Sequence, residues 1–128
     1  MKNNIRSLNP VPQKPFLIGE RLYEVVPFCK NREDAVDGNT MLDRAKAAGV
    51  EAGKEDGEYM LEHRDEIPPA LQQSYLVFPK WSDFVGYVVI LGYNADGWGA
   101  RSSLLMEKFP RNGYLLRRVY ENTGPQAA

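Results

Sequence analysis

The chain is poor in the residues that most often carry catalysis or hold metals, with one cysteine, Cys29, and one histidine, His63. A single cysteine excludes an internal disulfide framework and is typical of a reducing compartment. One His and one Cys cannot supply a zinc site of the usual Cys- or His-rich kind. The sequence therefore predicts a cytoplasmic protein that holds no metal and no other cofactor.

Long apolar segments are missing as well. No apolar run approaches the ~20 residues that a membrane-spanning helix requires. The first residues contain no apolar segment of the kind that defines a secretory signal. We therefore expect no membrane partner and no export. The length of 128 residues fits one domain with one hydrophobic core.

The sequence motifs of the common catalytic classes are absent too. No serine lies in the Gly-x-Ser-x-Gly pattern of a nucleophile elbow, and the glycines of 92–99 fall in a predicted hairpin rather than between a strand and a helix. Cys29 and His63 would form a dyad only if the fold brought them together. No catalytic residue is predicted. An enzyme that uses His63 with nearby carboxylates is kept as a second alternative.

Charge is nearly balanced, with 16 basic and 17 acidic side chains, but it is unevenly distributed. Residues 30–66 carry eleven acidic and six basic side chains, a net charge of −5, whereas 1–29 and 80–121 are each +2. This balance argues against a dedicated double-stranded DNA binder. Arginines interleaved with aromatic residues could instead hold a single nucleic-acid strand by charge and stacking, which makes this the first alternative function. The residues concerned are Arg101, Arg111, Arg117, Arg118, Trp98, Tyr114 and Tyr120.

Prolines and glycines divide the chain. Pro10, Pro12 and Pro15 predict an extended arm over 1–15, followed by one domain over 16–122 and a disordered tail over 123–128. A strand is predicted over 21–26, where Pro27 either ends it or makes it an edge strand.

Two helices are predicted after this strand. The first is capped by Asp37, Asn39 or Thr40 and stops at Gly49, and the second covers about 54–64 with Gly57 inside it. A further strand is predicted over 75–78.

Two turn signals, Asp96-Gly97 and Asn112-Gly113, predict a three-stranded antiparallel meander over about 84–94, 98–108 and 114–120. The expected fold class is α+β, with this meander, one or two further strands, and two α-helices packed on one face of the sheet. A turn centred on Asp96 and Gly97 would pair Tyr93 with Ala100. A turn centred on Asn112 and Gly113 would put Glu107 opposite Arg118. A four-residue loop over 110–113 would keep the same residues on each face, whereas a three-residue loop would invert the last strand.

This arrangement gives the sheet one apolar face, on which the helices are expected to pack, and one mixed face. Tyr and Arg are enriched where proteins bind one another, so the mixed face is the predicted binding site. Its residues are Arg101, Leu105, Glu107, Arg118 and Tyr120. Coverage of this face by the arm and the first strand is the competing interpretation.

The run 43–120 resembles a group of small uncharacterised bacterial proteins. The resemblance rests on Arg44-Ala45-Lys46 with Gly49, on Glu58 to His63, on Asp65 to Pro68, on Tyr75 to Pro79, and on Trp81 and Trp98. It implies a bacterial origin and the order strand, two helices, meander. It implies no activity.

Together these patterns predict a small binding module that acts through a protein partner. Because unpaired sheet edges invite strand addition, a homodimer through an edge strand is an associated hypothesis. Nucleic acid ranks below a protein as the partner.

Overall fold

A computed structural model describes residues 11–120. Residues 1–10 of the predicted arm and the predicted tail over 123–128 lie outside this range. The described part contains eight strands and two α-helices, together with short 3-10 turns at Arg64–Glu66 and Pro69–Leu71. In chain order the elements are β1 (Phe16–Ile18), β2 (Arg21–Pro27), β3 (Ala35–Asp37), α1 (Gly38–Ala47), α2 (Lys54–Glu62), β4 (Tyr75–Phe78), β5 (Tyr87–Asn94), β6 (Gly97–Leu104), β7 (Lys108–Pro110) and β8 (Gly113–Val119).

Six strands form the main sheet, in the order β1-β2-β8-β4-β5-β6. Neighbouring strands in this sheet run antiparallel, except that β4 and β8 run parallel to each other. The short strands β3 and β7 pair with each other as a separate two-stranded ribbon. The prediction of an α+β fold with a mostly antiparallel sheet is confirmed. No helix within residues 11–120 is long and apolar enough to cross a membrane.

The two helices lie on opposite faces of the main sheet, so the prediction that both pack on one face is wrong. Alternate residues of a strand point to opposite faces. Val89 and Leu91 of β5 belong to the core cluster that contains Met60 of α2. Their neighbours Val88 and Ile90 belong to the cluster that contains Met41 of α1. Because the central strands are apolar on both faces, each face requires a cover, and each helix supplies one.

Helix α1 begins where its sequence signals place it. Asp37 is the N-cap, and its carboxylate accepts a hydrogen bond from the Thr40 N–H at 2.8 Å. The helix ends before Gly49, which has the positive φ of 72° that glycine adopts without strain. Buried Met41 and Ala45 face the sheet. We therefore attribute both ends of α1 to local chemistry.

Helix α2 contains a glycine for a tertiary reason. The ring of Trp81 packs directly on Gly57, and a Cβ there would lie 2.2 Å from Trp81 Cζ3. The indole is buried, and its ring meets Phe78 edge-on at a centroid distance of 6.2 Å. The close approach of helix and indole thus requires Gly57, although alanine would favour the isolated helix.

The β5–β6 hairpin forms, but its register differs from the prediction by two residues. Tyr93 lies opposite Trp98, and Leu91 lies opposite Ala100. The turn is formed by residues 95–96 instead of 96–97, and Gly97 follows it with a φ of 96°. The Asn94 side-chain oxygen accepts from the Asp96 N–H at 2.8 Å, which stabilises the turn in this position. A shift by two preserves which residues share a face.

The predicted meander is wrong in its third strand. Strand β8 does not pair with β6 but lies between β2 and β4. The segment between them forms β7, which pairs with β3 and leads the chain away from β6. Gly113 does not have a positive φ. A Cβ on it would lie 2.1 Å from Tyr75 Cζ, so it serves close packing and not a hairpin turn.

Candidate functional site

The five residues of the predicted binding site do not share one face. Arg101 on β6 lies opposite Ile90, on the side of α1, and Leu105 packs against the same core cluster. Arg118 lies opposite Tyr23, whose ring is buried in the cluster on the side of α2. The predicted cross-strand pair of Glu107 and Arg118 is therefore wrong, because β8 pairs with β2 and β4 and not with β6.

Arg101, Leu105 and Glu107 remain together near the end of β6. Arg101 and Glu107 line a cleft of about 350 Å³ whose other walls include Tyr75, Ser103 and Lys108. A neighbouring cleft of about 330 Å³ shares Tyr75, Arg101 and Asn112 with it. The Tyr75 hydroxyl donates to the Pro110 carbonyl at 2.6 Å, and burial raises the pKa of Tyr75 above its ordinary value. The clefts therefore present a neutral phenol and amides together with the charged groups of Arg101, Glu107 and Lys108, a mixed polar lining that suits recognition of polar groups.

Arg118 and Tyr120 form a separate group on the other side of the sheet. The Arg118 guanidinium lies 4.7 Å from the centroid of the exposed Tyr120 ring. Both line a cleft of about 500 Å³ together with Arg117 and the α1–α2 connection. Glu51, Glu55 and Asp56 line the same cleft, so cations and anions are mixed there and neither charge dominates.

The side of β6 that faces away from β5 is the most distinctive surface near Arg101, Leu105 and Glu107. Strand β6 ends the main sheet, and eight residues make it much longer than β1, the three-residue strand at the opposite edge. Natural proteins protect such edges with charges, prolines or short strands. Strand β6 has no proline, and its single charge is Arg101. We call residues 98–104 on this side the β6 edge.

The hydrogen-bonding groups of the β6 edge follow from the register. In an antiparallel pair, alternate residues direct both backbone groups toward the partner strand or away from it. The Leu105 N–H donates to the Gly86 carbonyl at 2.8 Å, which sets the alternation. Ala100, Ser102 and Leu104 consequently direct their N–H and C=O groups away from β5.

Little within residues 11–120 covers these groups. Arg64 Nη1 donates to the Trp98 carbonyl at 3.0 Å, and the Glu107 N–H donates to the Leu104 carbonyl at 3.1 Å. These two contacts occupy the ends of the edge. Between them, Ala100 and Ser102 form no outward backbone hydrogen bond with any described residue. The centre of the β6 edge is thus an open template for another strand.

An apolar protrusion adjoins this edge. Val85 is fully exposed, Phe84 is 64% exposed and Met106 is 77% exposed. The two loops that carry them are held together by the hydrogen bond between Leu105 and Gly86. We call these three side chains the loop tip. Exposed apolar groups beside one another are typical of interaction surfaces. The predicted strand over about 84–94 includes Phe84 and Val85, whereas in the structure β5 begins at Tyr87 and Gly86 before it has a positive φ of 87°.

His63 and Cys29 are not brought together. His63 stacks on Tyr59 at a centroid distance of 4.3 Å, and its Nδ1 donates to the Tyr59 carbonyl at 2.9 Å. Tyr59 packs against the core on the side of α2, whereas Cys29 packs against the core on the side of α1. Burial is the main cause that raises the pKa of the Cys29 thiol, which disfavours the reactive thiolate. The geometry gives His63 a packing role.

The arginines and aromatic residues considered for nucleic acid are dispersed. Arg117 donates to Glu24 at 2.6 Å and to the Ala48 carbonyl at 2.7 Å, and Arg111 donates to the Glu33 carbonyl at 2.7 Å. Trp98 is buried in the core. Arg117, Arg118 and Tyr120 share one cleft, but Arg101 and Arg111 lie elsewhere and Trp98 is buried, so the seven residues do not form one stacking surface.

Metal-ligating side chains do not cluster in the described range 11–120, where no group of three or more His, Cys, Asp or Glu residues could hold an ion. Comparison with family models, curated proteins and solved structures gave no match for this chain. The features of the described residues that bear most on function are the β6 edge, the loop tip and the clefts around Arg101.

Proposed function

We propose that this protein acts by binding another protein, which adds a strand to the β6 edge and contacts the loop tip. The observation that carries the proposal is the open centre of the edge at Ala100 and Ser102, beside three exposed apolar side chains. Backbone hydrogen bonds from an added strand give affinity without demanding one sequence, and neighbouring pockets supply specificity.

The clefts around Arg101 supply such pockets. Arg101 and Glu107 belong to the originally predicted site, and Leu105 supports them from the core side. A partner strand beside β6 would direct alternate side chains to the face that carries these clefts, where the Arg101 guanidinium on β6 can bind a polar side chain of the partner. Arg118 and Tyr120 lie outside this surface, so we do not assign them to it. A bacterial origin and a cytoplasmic location stay predictions from the sequence.

The experiment compares partner capture by matched variants. Ala100→Lys places a charge at the centre of the edge, where the side chain is exposed. Leu17→Lys is the matched control, because it adds the same charge to an exposed residue of the opposite edge strand. Wild type, both variants and Val85→Ser are immobilised and exposed to a nuclease-treated bacterial lysate, and retained proteins are quantified by mass spectrometry.

The proposal requires a nuclease-resistant partner that wild type and Leu17→Lys retain equally and that Ala100→Lys loses at least tenfold. Val85→Ser should retain less of it than wild type. Equal retention by Ala100→Lys and wild type would remove the β6 edge from the account. Recovery of nucleic acid alone, lost at high salt, would favour the single-strand alternative.

A further inference from the structure

We infer that one occupant of the β6 edge is the β6 strand of a second copy of this chain, in an antiparallel two-fold dimer. This inference rests on the proposed function, because it uses the same edge. Two-fold dimers bring the same surface of each copy together, and an antiparallel strand pair satisfies that symmetry. The open centre of the edge and its small side chains make the strand complementary to itself.

The register follows from which backbone groups are free. Ala100, Ser102 and Leu104 must form the hydrogen-bonded pairs, because their groups point away from β5. One register places the two-fold axis at Arg101, and another places it at Ser102. The first would set each Arg101 directly opposite its own copy, in a close pair where like charges repel. The second sets Arg101 opposite Ser103, which carries no charge. We therefore assign the axis to Ser102.

The existing contacts at both ends of the edge agree with this register. Each Ser102 exchanges both backbone hydrogen bonds with its copy, and each Leu104 N–H donates to an Ala100 carbonyl. The Ala100 N–H shares the Leu104 carbonyl that already accepts from Glu107. In this register Trp98 lies opposite residue 106 of the other copy, which is beyond the end of β6. The Trp98 carbonyl can therefore keep its hydrogen bond from Arg64.

The same register accounts for two exposed apolar side chains. Met106 of one copy lies level with Trp98 of the other, and Trp98 pairs with Tyr93 within its own hairpin. Met106 is 77% exposed and Tyr93 is 43% exposed in the single chain. Pairing therefore places Met106 of one copy and Tyr93 of the other on either side of Trp98. The contact area of two strand edges is below that of stable dimers, so we expect dissociation constants in about the micromolar range.

The test is sedimentation velocity of the full chain over a protein concentration range from about 1 µM to about 1 mM, a range that brackets this expected affinity. Wild type and Leu17→Lys should shift from monomer to dimer with the same midpoint. Ala100→Lys should raise the midpoint at least tenfold, with unchanged circular dichroism. Wild type that remains monomeric at the highest concentration would overturn the inference, and so would a dimer that Ala100→Lys leaves intact.

Disulfide cross-linking tests the register independently of these variants. In a Cys29→Ala background, Ser102→Cys should cross-link two copies on mild oxidation, since hydrogen-bonded pairs have Cα atoms ~5.5 Å apart, within disulfide range. Ser103→Cys is the control, because a two-residue stagger separates its copies. Preferential cross-linking through Ser103→Cys would refute the assigned axis.

The outcomes separate the two proposals. A monomeric wild type whose lysate partner is lost by Ala100→Lys would refute the dimer and leave the proposed function intact. A dimer through Ser102 together with no captured partner would support the dimer and refute the proposal that a different protein binds the β6 edge.

Discussion

Replacing Gly57 by alanine has two opposite effects on stability, a gain in helix propensity and a steric clash with Trp81. Alanine favours an isolated helix by about 1 kcal/mol over glycine. The added Cβ, however, would lie 2.2 Å from Trp81 Cζ3 and 2.5 Å from Trp81 Cε3. Contacts that short force the indole or the helix to move, and Trp81 is held in the core between α2 and Phe78. Overpacking of this kind costs about 1–3 kcal/mol, so after the helix-propensity gain we expect a net destabilisation of about 0–2 kcal/mol.

Urea unfolding measured by tryptophan fluorescence and circular dichroism would supply the free energy of unfolding. Gly99→Ala is the matched control, because no atom lies within 4 Å of its added Cβ and its φ is not positive. The control should stay within about 0.5 kcal/mol of wild type. Combining Gly57→Ala with Trp81→Leu should cost less than the sum of the single changes, since the smaller side chain relieves the clash. A Gly57→Ala variant that is more stable than wild type would refute the packing argument.

Three further predictions concern α1, the acid response and the loop tip. Asp37→Ala should lower the free energy of unfolding by about 1 kcal/mol, because the Thr40 N–H loses its cap, whereas Asp43→Ala on the exposed side of α1 should not; urea unfolding compares them. The Arg44 guanidinium and the Lys30 N–H lower the pKa of Glu33 to about 2 from an ordinary 4.5. The ionised Glu33 carboxylate therefore contributes fully to the stability of the folded protein above pH 4.5, and this contribution is lost as the pH falls toward 2. Glu33→Gln should therefore flatten the decline of Tm over that interval, and an unchanged decline would contradict the pairing. Val85→Ser should leave Tm within about 2 °C of wild type, because its side chain is fully exposed. A larger drop in Tm would show that the loop tip belongs to the core.

Local features of the fold were predictable because they depend on neighbours in the chain. The start of α1 at Asp37, its stop before Gly49, and the β4 strand all follow from caps, glycines and apolar patterns. Pro27 ends β2, as one of the two predicted options stated. The β5–β6 hairpin follows from its turn residues, although the turn lies one residue earlier than the glycine alone indicated, where the Asn94 side chain stabilises it.

The order of strands was not predictable from local signals. The position of β8 between β2 and β4 depends on contacts between distant segments, and the Asn112-Gly113 pair resembled a hairpin turn. Its glycine is required instead by the ring of Tyr75, which comes from another strand. This single topological difference inverted β8, moved Arg118 and Tyr120 to the other face, and left β6 as an open edge.

The measurement that tests the central claim most directly is amide hydrogen exchange along β6 at low and high protein concentration. In dilute protein, the Ser102 amide should exchange rapidly, whereas its neighbours Arg101 and Ser103, bonded to β5, should be protected. At high concentration, Ser102 and Leu104 should gain protection while the rest of the sheet is unchanged. Protection of Ser102 in the monomer would contradict the account of β6 as an open binding edge, and rapid exchange of Ser102 at every concentration would contradict the dimer.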